Sequence, residues 1–103
     1  MTNPTRIRAT VRDGITEVRA RLSHVMETGM RKNAAGALIP AHFITDLTVF
    51  NNDRVVLSAQ FGPSVSANPY LVFKFRGGAP GERVRVSWTD NLGESRNDEV
   101  AIA

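Results

Sequence analysis

Two histidines, His24 and His42, are the side chains in this sequence best suited to metal or proton chemistry. Glu27 and Asp46 could complete a ligand set around them. The histidines stand eighteen positions apart, and no established metal-ligand spacing matches. Hydrogen-bonded or solvent-facing imidazoles are therefore expected in place of a metal centre. The chain has no cysteine. That removes thiol nucleophiles, disulfides and Cys-ligated zinc or iron–sulfur sites. No serine lies in a nucleophile-elbow pattern, and no His-Glu-x-x-His is present. Gly77 to Gly81 is glycine-rich but lacks the Lys-Ser/Thr and the helix that would cradle phosphate, so it reads as a hairpin turn. Asp98 and Glu99 are adjacent on a strand and point to opposite faces, which is poor geometry for paired carboxylates. No catalytic, cofactor-binding or metal-binding residue is expected, and the chain does not read as an enzyme.

What remains is binding chemistry, and arginine is its first signal. Thirteen basic residues oppose ten acidic ones for a net +3, and only Lys32 and Lys74 are lysines. Arg6, Arg8, Arg19, Arg21, Arg83 and Arg85 share the outward parity of three strands predicted below. If those strands belong to one sheet, they form a basic face. Planar guanidinium groups pair well with oxyanions. No aromatic residue interleaves on that parity and no nucleic-acid module is recognisable, so nucleic acid is not an expected partner. A solvated face and a docking face for an acidic partner both fit.

The elements that must position these residues are strands. At 103 residues the chain is one domain, able to bury about 65% of its surface without staples. Period-two alternation spans Arg6 to Arg12 and Thr16 to Leu22, joined by the turn signal Asp13-Gly14. Ser23 to Ala41 is an irregular segment, longer than ordinary connections and so a candidate for function. Further strands are predicted over Phe43 to Phe50, Arg54 to Phe61, Tyr70 to Phe75, Arg83 to Thr89 and Glu99 to Ile102. Val84, Val86 and Trp88 face inward. Seven short strands with regular turn signals predict an all-β immunoglobulin-like sandwich. No apolar run reaches the roughly 18 residues of a membrane span, and no membrane partner is expected. Met1 to Val11 lacks a signal-peptide core, which alone suggests a cytoplasmic chain.

The third to fifth strands are apolar on both parities. Ile44 and Phe50 oppose Phe43, Leu47 and Val49; Val56 opposes Val55 and Leu57; Tyr70 and Val72 oppose Leu71, Phe73 and Phe75. A small sandwich has no third layer to cover a second apolar face. The expectation is either an exposed protein-binding patch centred on Ile44, Phe50 and Val56, or cover by the Ser23 to Ala41 segment.

Two irregular motifs carry a family resemblance. His24-Val25-Met26-Glu27-Thr28-Gly29-Met30-Arg31-Lys32, followed by Gly36 and Ile39-Pro40, resembles the H-x-M-E-T-G-x-R loop of the SoxZ family of bacterial sulfur oxidation. Ser66-Ala67-Asn68-Pro69-Tyr70, running into Leu71 to Phe75, resembles that family's second signature, and Ser87-Trp88-Thr89-Asp90 its third. Val25 departs from the proline expected in many members.

The resemblance implies an immunoglobulin-like sandwich that forms a heterodimer with a SoxY-type subunit. That subunit's C-terminal Gly-Gly-Cys-Gly-Gly arm carries sulfur intermediates covalently while other Sox enzymes act on them. It implies no catalytic residue and no cofactor on the Z-type chain. It also implies a periplasmic location, reached by export with a signal-bearing partner, which reverses the cytoplasmic default. Interface candidates are Met26, Glu27, Thr28, Gly29 and Met30 in the first loop, Ile44, Phe50 and Val56 on the second face, and Asn68, Pro69 and Tyr70 in the second signature. The sequence leaves open whether loop or patch makes the main contact. An exposed interface is expected to favour self-association when the partner is absent.

Overall fold

The computed structural model describes residues 2–103. Seven antiparallel strands form it: β1 (Arg6–Arg12), β2 (Ile15–Arg21), β3 (Ile44–Asn51), β4 (Arg54–Gln60), β5 (Tyr70–Arg76), β6 (Arg83–Asp90) and β7 (Ser95–Ala101). They divide into a three-stranded sheet, β1-β2-β5, and a four-stranded sheet, β4-β3-β6-β7. The predicted all-β sandwich is what forms. No helix is long and apolar enough to cross a membrane among the described residues.

The β1–β2 hairpin closes where the sequence signals it, with Asp13 and Gly14 both at positive φ (54° and 76°). The core lies between β2 and β1 on one side and β3 and β6 on the other. Val18, Ala20, Leu22, Ile44, Leu47, Val49, Val84, Val86 and Trp88 are fully or almost fully buried.

Three local features depart from the simple alternation. The β3–β6 register shifts between Ile44 and Asp46, so Ile44 turns inward together with Leu47 and Val49. The β3–β4 register shifts between Val49 and Phe50, leaving Val56 as the extra residue of a bulge and half-buried against the core. Strand β7 begins at Ser95, four residues before the predicted start at Glu99. Its first two inward positions are Arg96 and Asp98, which carry no apolar signal and instead pair with each other at 2.7 and 3.1 Å; only the third, Val100, is apolar.

The predicted six-arginine face is divided. Arg83 and Arg85 sit on β6, in the other sheet from Arg6, Arg8, Arg19 and Arg21. The three-stranded sheet keeps its own basic face. Arg6 opposes Arg21 and Arg8 opposes Arg19, while Lys74 and Arg76 extend the face on β5. An aromatic does join that parity: Tyr70 opposes Arg21, whose guanidinium lies 4.9 Å from the ring centre.

The molecule is elongated, 54 × 19 × 18 Å. An eight-residue strand spans only roughly 27 Å. The surplus length fits the β2–β3 connection, which doubles back as an arm: Glu27 pairs with His42 and Lys32 with Leu38.

Candidate partner interface

Both sequence signatures meet at one end of the sandwich, and a buried carboxylate holds them there. His24 leaves β2 with its side chain packed edge-on against Trp88, ring centres 5.2 Å apart. Its backbone N–H donates to Asn68 Oδ1 at 3.0 Å, and Asn68 N–H returns a bond to the His24 carbonyl at 2.9 Å. Met26 N–H donates to His24 Nδ1 at 3.0 Å, which places the proton of the neutral ring on Nε2. That Nε2 lies 3.0 Å from Asp90 Oδ2. His42 Nε2 approaches the same oxygen at 2.8 Å and Glu94 Oε1 at 2.8 Å. The other Asp90 oxygen accepts from Leu92 N at 3.0 Å and Glu94 N at 2.9 Å, shaping the β6–β7 turn.

The Asp90 side chain is fully buried. Burial by itself would push its carboxyl up. The donors from His24, His42, Glu94 and Leu92 outweigh that and hold it down at about 2.

His24, His42 and Asp90 are the one group of metal-ligand side chains gathered among the described residues, with ligand atoms within 4.8 Å. The candidate ligands Glu27 and Asp46 are not in it; Glu27 instead pairs with Arg31 at 2.6 Å. The bond from Met26 opposes metal binding. A neutral imidazole that ligates through Nε2 must carry its proton on Nδ1, where Met26 N–H already points. The cluster is built as a hydrogen-bonded clasp that fixes the arm and the Asn68-Pro69 turn.

Beyond the clasp the arm is solvated, with Met30 84% and Leu38 59% exposed.

The long side of the sandwich differs from its opposite. Along β1 and β7 the layers are sewn together. Val11 N bonds Ala103 O, Ala103 N bonds Ala9 O, and Thr5 N bonds Asp98 Oδ2. Along β4 and β5 they are open, since the two strands belong to different sheets and both are edges. Seven apolar side chains there, Val56, Leu57, Ala59, Phe61, Val65, Leu71 and Phe73, pack against the core yet stay only partly buried. Arg54 spans one end of the opening, donating to the Arg76 carbonyl at 3.1 Å.

The family model described as "Sulphur oxidation protein SoxZ" matches residues 5–101. The chain belongs to the SoxZ family. A search of curated proteins found no significant match. Among solved structures, a superoxide reductase (neelaredoxin) from Ignicoccus hospitalis is similar, with TM-score 0.56 and 18% identity over 99% of this chain and 82% of that one. At that identity the likeness concerns the fold alone.

Within this SoxZ-family chain, the expected interface residues separate into groups. Ile44 is 0% exposed and belongs to the core, so the patch centred on Ile44, Phe50 and Val56 does not exist as a surface. The register shift beside Ile44 is the reason. Met26 is also buried, its sulfur 3.4 Å from the Ile44 amide, and Pro69 is buried in its turn. Val56 turns to the open side. Phe50 lies on the outer face of the four-stranded sheet, under the Arg85 guanidinium at 4.0 Å. Thr28, Met30, Asn68 and Tyr70 are exposed, while Glu27 and Gly29 are partly covered. Sequence reading missed Asp90 as the organising residue and Leu71 and Phe73 as open-side residues. The alternation of β5 marks Leu71 and Phe73 as inward but does not tell that no strand closes over them.

Proposed function

We propose that this chain is the non-catalytic Z-type subunit of a sulfur carrier pair. It binds a SoxY-type subunit, whose cysteine carries the sulfur intermediates, through the open β4–β5 side. The observation that carries the binding role is the row of apolar side chains along that side, which pack against the core yet keep part of their surface exposed. Whole-chain membership of the SoxZ family supports the sulfur-oxidation setting. The absent cysteine supports the division of labour, because a thiol-bound intermediate must ride on another chain. The reading includes a periplasmic location, shared with the partner.

Burying a core-like strip of this kind removes several large apolar groups from water, at about 25 cal/mol per Å². The projecting arm lies at one end of the strip and adds Met30 and Leu38, side chains suited to an irregular partner surface. Co-expression with a SoxY-type subunit tests the reading. A stable 1:1 heterodimer is expected on sizing, with a chemically trapped sulfur adduct on the partner and none on this chain. Failure of the two chains to co-purify would overturn it.

A further inference from the structure

The four sheet edges are treated very differently, and the contrast points to how the partner binds. An uncovered edge strand is a template for another strand, and proteins ordinarily blunt it. Strand β1 is covered by the C-terminal residue through Val11 and Ala9. Strand β7 carries the inward charges Arg96 and Asp98, tied to Thr2 and Thr5 of the N-terminal segment. Strand β4 is bulged at Val56. Strand β5 has no cover, bulge or inward charge over most of its length, and its only charges are the outward Lys74 and Arg76.

Its free hydrogen-bonding groups can be assigned. Pro69 O accepts from Leu22 N, and Gly77 N donates to Gly14 O, so the odd-numbered residues of β5 face β2. The N–H and C=O groups of Tyr70, Val72, Lys74 and Arg76 therefore point away from the sheet. The bond from Arg54 to the Arg76 carbonyl lies on that outer edge, as the alternation requires.

We propose that β5 accepts an extended strand from the partner subunit, continuing the three-stranded sheet and closing the open side. This rests on the reading that the SoxY-type partner docks there. The flanking chemistry specifies the strand. Its inward positions must be apolar, to cover Leu71 and Phe73. Of its outward positions, those beside Lys74 and Arg76 must be acidic, while those beside Tyr70 and Val72 meet exposed apolar side chains. The same positive charges disfavour a second copy of this chain on the edge, since two β5 strands side by side would bring like charges together.

Amide hydrogen exchange on the purified heterodimer and on the isolated chain tests this. Exchange at Tyr70, Val72, Lys74 and Arg76 should slow on the order of a hundredfold in the complex. The Leu71, Phe73 and Phe75 amides, already bonded to β2, should change far less. Val72→Pro removes one outward donor at a position where the fold itself makes no bond. It should leave melting of the isolated chain nearly unchanged while weakening the heterodimer about tenfold or more, and Val72→Ala should not. A heterodimer in which the four outward amides exchange as fast as in the isolated chain would overturn strand addition and leave the partner reading standing. Absence of any heterodimer would overturn both.

Discussion

Replacing Asp90 with Asn should cost this small domain much of its stability, and the geometry says why. One carboxylate accepts four hydrogen bonds: His24 and His42 on one oxygen, Leu92 and Glu94 amides on the other. Asparagine offers one oxygen and one NH2 group. Whichever way it is turned, two of the four donors then face another donor. Hydrogen bonds to a charged group contribute about 1.5–3 kcal/mol each. Losing two, with some relaxation around them, gives a destabilisation of about 3 kcal/mol. For a domain of this length that lowers the melting temperature by about 12–24 °C. The pH dependence supplies an independent measure. Asp90 titrates at about 2 in the fold, against its ordinary value of 3.8. A depressed folded-state value means that the stabilisation is complete above about pH 4 and is lost as pH falls toward 2. Urea unfolding of both proteins from pH 7 to pH 2 is the assay. The variant should lose about 3 kcal/mol at pH 7, and the gap should narrow across the acid limb. A loss below about 1 kcal/mol at pH 7, or a gap that does not change with pH, would refute the clasp.

Further outcomes follow from other contacts. His24→Ala removes the ring that joins Met26 to Asp90, so limited proteolysis should cut the 27–41 arm faster while the sandwich core stays resistant. Gly78→Ala should cost about 2 kcal/mol or more in a thermal melt, because Gly78 sits at φ 86° and a Cβ there would strike Thr16 Oγ1. Phe50→Ser should lower stability by about 1 kcal/mol through the lost ring under Arg85, and it should leave partner affinity unchanged because that face lies away from the open side.

Local chemistry was readable from sequence where it acts over a few residues. Asp13-Gly14 announces its turn, and the alternation through Arg6 to Leu22 announces two strands with one wet face. The charged run Ser95 to Asp98 hides a strand, because its inward positions satisfy each other by an ion pair and leave no apolar rhythm. Parity failed at Ile44 and Val56, since a register shift inverts every side chain beyond it and leaves no local mark. Alternation also does not say which sheet a strand joins, so Arg83 and Arg85 were grouped with arginines on the opposite layer. The site had the same limit. His24 and His42 were recognisable as chemically capable residues, but their carboxylate lies 66 and 48 positions away in the chain, and nearby Glu27 and Asp46 are not its substitutes. The openness of the β4–β5 side is a property of topology: the residues there are ordinary inward-facing apolar residues in a sandwich that closes on one side only.

If this open side holds the partner, the dissociation constant of the pair must differ between the wild type and Phe73→Ser. Phe73 is only partly buried in the isolated chain, so the variant should stay folded by circular dichroism. Affinity should weaken about 10- to 100-fold. A folded Phe73→Ser chain that binds its SoxY-type partner as tightly as the wild type would contradict it.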